Sequence, residues 1–173
     1  HYIARMDWAK NSDELMLQQL NRLQNTNRVM IANSRNGKVE TIFTDRNDAW
    51  VEMRFGFTKW IDEGKRFTFV SERDGWRHVY LVSRDGKKMQ QVTSGKFDVT
   101  RALALDEKNR WLYFEASPDN ATQRYLYRVG LDGKGMKRLS PADQTGSHSY
   151  NVSPDAQWAI HSYSSFAVPP SSN

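Results

Sequence analysis

Cysteine is absent from the 173 residues, which excludes disulfides, thiol nucleophiles and cysteine-ligated metal and leaves the compartment open. Long apolar runs are missing too. No window approaches the ~18 consecutive apolar residues of a membrane-spanning helix, and the start has neither a basic nor an apolar leader region, so no membrane-spanning segment and no signal peptide are expected. Lysine and arginine exceed the acids by 25 to 20, a formal net charge of +5. No run of five basic residues occurs, and a polyanion partner wants clustered charge, so nucleic acid is not expected as a ligand. Glycine-rich phosphate cradles of the G-x-G-x-x-G or P-loop type are absent, and no G-x-S-x-G nucleophile elbow exists.

What the sequence does contain is a repeat. Asn36-Gly37, Asp85-Gly86 and Asp132-Gly133 each separate two strand-like runs, as fillers of tight hairpins whose central residues take positive φ. Their glycines lie 49 and 47 residues apart, a period that signals a repeated supersecondary unit. Before each turn comes a short strand (Arg28 to Ile31, Arg77 to Leu81, Arg124 to Tyr127), and after it another that alternates apolar and polar residues (Val39 to Phe43, Met89 to Val92, Met136 to Leu139).

A second turn followed by an aromatic strand also recurs, making Phe67, Trp111 and Trp158 equivalent at spacings of 44 and 47. One more short strand precedes each of these. Four strands per unit, joined by tight turns, describe a propeller blade. The expected fold is all-β: a partial β-propeller of about three and a half four-stranded antiparallel blades, at about 3–44, 57–93 and 99–139, with a half blade at 150–166. The competing architecture is an all-β sandwich, which lacks a fixed period. Ser12 to Arg22 could be a capped helix, but its place in the repeat and the alternation of Leu15, Leu17 and Gln19 favour strand. Asp45 to Asp48 and Ser140 to Ser149 read as loops.

Chemistry is sparse in this frame. His78 falls within a repeat strand and reads as a structural or hydrogen-bonding residue. His148 and His161 have no further ligand at metal spacing, so no metal is expected, and no cofactor either. The pairs Asp62-Glu63 and Asp106-Glu107 recur at one repeat position and read as turn residues. Trp50, Arg54, Phe55 and Phe57 gather aromatic and cationic groups between two blades, which makes them the binding candidate.

The stretch "SERDGWRHVYLV" at Ser71 to Val82 resembles the blade motif of the dipeptidyl peptidase IV family, within the prolyl oligopeptidase group of serine peptidases, and of its bacterial members in particular. "YIARMDWA" at Tyr2 to Ala9, "LNRLQNTNRVMI" at Leu20 to Ile31, "DGKKMQQVTSG" at Asp85 to Gly95 and "HSYSSFAVPP" at His161 to Pro170 agree, in order and nearly end to end. The resemblance is to the later part of the N-terminal propeller. It implies a parent enzyme with an eight-bladed propeller over an α/β-hydrolase domain, removing Xaa-Pro or Xaa-Ala dipeptides from free peptide N-termini. It also implies that the catalytic Ser, Asp and His lie in that hydrolase domain and the amine-binding glutamates in an earlier part of the propeller. By the same resemblance Trp50-Val51-Glu52-Met53-Arg54-Phe55 matches a pocket segment of the family, with the Arg-Phe order reversed and the spacing one residue longer, which makes Arg54 and Phe55 the substrate-binding candidates.

The chain begins at His1 with strand-like sequence already at Tyr2, as expected of a segment of something longer whose peptidase domain lies elsewhere. Its expected partners are peptide substrates through the parent enzyme, the parent's own α/β-hydrolase domain and a second copy in a homodimer. The resemblance places the parent in the periplasm or outside a bacterial cell. No catalytic residue is expected in this stretch, which would gate or shape substrate access. The alternative is a stand-alone β-propeller that binds other proteins.

Overall fold

A computed structural model describes residues 1–53 and 57–173. Among the described residues fifteen strands form four meandering sheets in which each strand pairs with its neighbour in sequence. The first sheet is β1 (Tyr2–Trp8), β2 (Glu14–Leu20), β3 (Thr26–Asn33) and β4 (Val39–Arg46). The second is β5 (Trp60–Ile61), β6 (Arg66–Ser71), β7 (His78–Ser83) and β8 (Met89–Gln91). The third is β9 (Val99–Asp106), β10 (Trp111–Ala116), β11 (Tyr125–Gly130) and β12 (Lys137–Arg138), and the fourth is β13 (Ser147–Val152), β14 (Ala159–Ser164) and β15 (Ser171–Ser172). The chain divides into two compact units, His1–Gly75 with Tyr80–Gln90 and Trp76–Val79 with Gln91–Asn173.

Residues 14–20 form a strand, as the repeat requires, but with the opposite facing from that expected. Met16, Gln18 and Leu20 are buried while Leu15, Leu17 and Gln19 are half-buried. The difference follows from register: Met16 and Gln18 lie opposite Ile31 and Val29, and in a pleated strand a shift of one residue exchanges the faces. Two expected loops are shorter than read. β4 continues through Asp45, and β13 starts at Ser147, with Ser171–Ser172 adding a third strand to its sheet.

The first unit is built on Met16, Val29, Phe67, Phe69, Tyr80 and Val82, with Ile31, Ile42, Phe43, Trp60 and Met89 against them. Phe43 meets Phe69 edge-on at 5.0 Å and Trp60 packs on Phe67 at 4.8 Å. In the second unit Phe114 stacks between Phe97 at 6.5 Å and Tyr127 at 5.8 Å. Each fully buried ring of this kind contributes roughly 1.5–3 kcal/mol by leaving water. β7 has no solvent side, since His78, Val79, Tyr80, Leu81 and Val82 are all buried. This accounts for the density of bulky residues in "HVYLV", whereas Trp76 before it is 40% exposed. By contrast β1 is exposed almost throughout. The repeat-equivalent aromatics Phe67, Trp111 and Trp158 run from fully buried through half-buried to 79% exposed.

The hairpins depart from the expected two-residue turns, because only their glycines take positive φ: Gly37 at 73°, Gly86 at 71° and Gly133 at 82°. The loops are longer, and the preceding Asn or Asp uses its side chain instead. Asn36, Asp85 and Asp132 accept the backbone N–H of Lys38, Lys87 and Lys134 at 2.9, 3.1 and 3.0 Å. A side-chain acceptor two residues back replaces a backbone turn bond, so the Asx residue itself stays out of the left-handed region. The β13–β14 turn repeats the device with Asp155 accepting from Gln157 N–H at 3.1 Å, but Ala156 occupies the glycine position at φ 57°.

Candidate functional site

Arg54 and Phe55, the expected substrate-binding residues, lie outside the described residues; both flanks of that segment are described. On the N-terminal side, Asn47 Oδ1 accepts the N–H of Ala49 and Trp50, and the N–H of Val51 donates to the Gln24 carbonyl at 2.7 Å. Val51 is buried, and Trp50 is left half open to solvent. Beneath them two buried amides pair, with Asn27 Nδ2 donating to Gln18 Oε1 at 2.9 Å and lying 3.4 Å from Met53 Sδ. On the C-terminal side Thr68 fixes the chain: its hydroxyl donates to the Phe57 carbonyl at 2.5 Å and accepts the N–H of Lys59 at 2.8 Å. Both ends are thus tied to buried polar groups of β3 and β6, and a buried polar group that lost its partner would cost roughly 1–3 kcal/mol.

A second polar assembly joins β4 to β6. Asp45 is buried, and the Ser71 hydroxyl lies 2.8 Å from each of its carboxylate oxygens. Arg73 Nη2 donates to Asp45 Oδ1 at 2.9 Å, and its guanidinium lies 5.7 Å from the Tyr80 ring centre. Burial, followed by the Asp74 charge, pushes the Tyr80 hydroxyl up to about 12. Ser71 to Arg73 are therefore structural as well as loop residues. The reading of Asp45 as loop missed this assembly, although a carboxylate two residues after Phe43 on a half-buried strand already demands a cation.

In the second unit the histidines are committed. His78 is fully buried, with Nδ1 3.0 Å from Thr93 Oγ1 and Nε2 3.0 Å from the Gly95 carbonyl. That carbonyl can only accept, so Nε2 carries the proton and the Thr93 hydroxyl donates to Nδ1. His148 and His161, read from the sequence as separate, are joined: His148 Nδ1 lies 2.9 Å from His161 Nε2, with the rings parallel to within 1°. Strand alternation brings them together, since His148 pairs with Tyr163 and Tyr150 with His161, so the two imidazoles share one face as diagonal neighbours. Tyr150 stacks on His161 at 4.5 Å, and its N–H donates to the fully buried Glu115 at 2.9 Å. No cluster of three metal-ligating side chains occurs among the described residues. The pairs Asp62-Glu63 and Asp106-Glu107 serve turns: Asp62 binds Arg66 at 2.5 Å, and Asp106 accepts from Asn109, which holds its carboxyl below the usual range.

The family model described as the dipeptidyl peptidase IV N-terminal region matches residues 1–170. The chain belongs to the dipeptidyl peptidase IV family, as part of its N-terminal region. Dipeptidyl peptidase 4 of Arthroderma otae is 27% identical over 173 residues, covering 96% of this chain and 22% of that protein. The Trichophyton rubrum protein of the same name is 24% identical, again over 96% of this chain and 22% of its own length. The crystal structure of Porphyromonas gingivalis dipeptidyl peptidase 4 superposes with a TM-score of 0.86 at 29% identity, covering 98% of this chain and 24% of that one. The chain therefore spans less than a quarter of the length of these relatives. With four antiparallel sheets of three or four strands and this likeness, its fold is that of a partial β-propeller. No helix among the described residues is long and apolar enough to cross a membrane.

Proposed function

We propose that this chain is the propeller segment of a dipeptidyl peptidase IV-like serine exopeptidase that removes Xaa-Pro or Xaa-Ala dipeptides from free peptide N-termini. The observation that carries the reading is the match of the dipeptidyl peptidase IV N-terminal region over residues 1–170, together with the likeness to the Porphyromonas gingivalis enzyme over nearly the whole chain. On this reading the reacting groups belong to the parent's hydrolase domain, and in keeping with it His78 and His148 each have both ring nitrogens engaged. Its role is access. A propeller mounted on a peptidase admits short or unfolded chains and excludes folded ones, and the segment from Trp50 to Phe57, tied down on both sides by Asn27 and Thr68, is the part that meets substrate, through Arg54 and Phe55. The remaining partners are the parent's α/β-hydrolase domain and a second copy in a homodimer, in the periplasm or outside a bacterial cell.

The test is hydrolysis of a chromogenic Gly-Pro substrate by the full-length protein that carries this sequence, with the 173-residue chain as control. Turnover by the first and none by the second is the expected result. Turnover by the chain alone, or none by the full-length protein, would refute the reading. Replacing Arg54 by Ala in the full-length protein is expected to raise KM more than it lowers kcat.

A further inference from the structure

Across the first unit, an open groove of about 530 Å³ runs between the β1–β2 loop and the start of β5. Its walls are Trp8 and Trp60, and Lys10, Ser12, Thr58 and Lys59 lie along it with Asn11, whose amide is taken up by Asp13 and Glu14. We propose that this groove binds a carboxylate-bearing peptide segment, with the lysine ammonium groups as the charge partners and the hydroxyls of Ser12 and Thr58 as donors.

Charge comes first. Among the described residues no carboxylate lines the groove, and those that adjoin its lining in sequence are paired: Asp7 with Arg5, Asp13 with Arg35, Glu14 with Arg84, Asp62 with Arg66 and Glu63 with Lys65. The ammonium groups of Lys10 and Lys59 have no carboxylate or hydrogen-bond partner among the described residues, and both side chains are exposed. The groove thus carries two uncompensated positive charges and two unused hydroxyls, a set that suits a carboxylate and repels a cation.

The wall is also built in advance. Arg84 lies over the Trp60 ring at 4.8 Å and is itself fixed by Glu14 and by the carbonyls of Ala9 and Gly64, both at 3.0 Å. Phe67 packs on the same indole at 4.8 Å. With its ring taken up by these neighbours, Trp60 is a rigid apolar wall and not a free stacking platform, which disfavours a sugar ring or a nucleobase. Trp8, 56% exposed, supplies the solvent-facing wall. A rigid aromatic backing with adaptable polar contacts is the arrangement in which ordering costs on binding stay low.

That the peptide is the trailing part of a substrate rests on the peptidase reading; the groove and its charge do not. The experiment separates the two. In the full-length protein, tryptophan fluorescence is titrated with an unstructured Glu-containing peptide that has Xaa-Pro at its N-terminus, with its Lys-for-Glu counterpart and with a neutral oligosaccharide. Steady-state hydrolysis of the acidic peptide and of an uncharged chromogenic Gly-Pro substrate is then compared in the parent protein and in the double variant Lys10→Glu with Lys59→Glu. The acidic peptide is expected to bind, the basic one and the sugar not, and the double variant to weaken acidic-peptide binding and raise its KM by about tenfold while Gly-Pro turnover is unchanged. Binding unaffected by the double variant and by Trp8→Ala, or quenching by the oligosaccharide in place of the acidic peptide, overturns the proposal. Binding without hydrolysis of any substrate would sink the peptidase reading and leave the groove standing.

Discussion

His148 Nδ1 and His161 Nε2 share a 2.9 Å hydrogen bond while His148 Nε2 faces the Gln144 carbonyl at 3.0 Å. The carbonyl requires a proton on His148 Nε2, so His148 Nδ1 is the acceptor and His161 Nε2 the donor. A second proton on His148 would force that bond to reverse, with His161 moving its own proton to Nδ1. Its surroundings oppose the charge, for Arg138 lies over the adjoining Tyr125 ring, Tyr150 and Tyr163 close the face, and the buried Glu115 carboxylate is directed at the Tyr150 N–H. Burial, then the His161 and Arg138 charges, hold the His148 pKa below the ordinary 6.5, despite the opposing bond to Gln144.

Acid should therefore destabilise the protein before its carboxylates titrate. With the folded pKa depressed, the unfolded chain binds more protons near pH 6, and stability present above 6.5 is lost as pH falls through the folded value. The lowered carboxylates Glu14, Asp85, Asp106 and Asp155 act only below their ordinary 3.8 to 4.5. Urea midpoints measured from pH 7.5 to 5 should fall more steeply in the wild-type chain than in His148→Asn, which starts from a lower plateau. An equal slope in both proteins would remove His148 as the cause.

Gly37 and Gly86 hold the same turn position and should respond very differently to alanine. A Cβ at Gly37 meets nothing within 4 Å, leaving only the left-handed backbone cost of about 1–2 kcal/mol. One at Gly86 would sit 2.2 Å from the Ile42 carbonyl oxygen, so Gly86→Ala should cost at least 2 kcal/mol more, about 3 kcal/mol or above in all. Chemical denaturation of the two variants side by side checks the difference.

Ala156 offers the reverse case. At φ 57° it occupies the position that glycine fills in the other three hairpins, and Ala156→Gly should raise stability by about 0.5–1 kcal/mol once the entropy gained by the unfolded chain is subtracted. A melting temperature that drops would show that the turn tolerates its alanine without strain.

Asp45→Ala removes the acceptor of the Ser71 hydroxyl and the partner of Arg73 together. Because Arg73 is one-third exposed, water can recover part of its solvation, and a loss of about 2–3 kcal/mol is expected instead of the full penalty of a stranded buried ion. Removing Arg73 as well should cost less than the two separate losses added, a coupling that a double-mutant cycle reads directly.

Periodicity carried most of the architecture, because the Asx-Gly turns and the aromatic strands after them are local features with fixed spacing. Facing in β2 was not legible: a run with apolar residues at 15, 16, 17 and 20 allows either parity until Ile31 and Val29 choose one. The contact between His148 and His161 was equally hidden, since it depends on the β13–β14 register and not on their separation of 13 residues. Nor can a sequence distinguish a turn open to water from one pressed under a neighbouring carbonyl, which is the whole difference between Gly37 and Gly86. The polar anchors Asn27, Thr68 and Asp45 look like ordinary strand or loop residues until the groups they hold are placed beside them.

β1 and β14, with Trp158 just before the latter, leave Ile3, Met6, Trp158 and Ile160 between 49% and 79% exposed, and Phe166 beyond them is wholly bare. Water wets such surfaces poorly, so on its own the polypeptide is its own most available ligand. Its behaviour in a test tube should turn on dilution: monomeric when scarce, and clustering through these faces as the solution is concentrated.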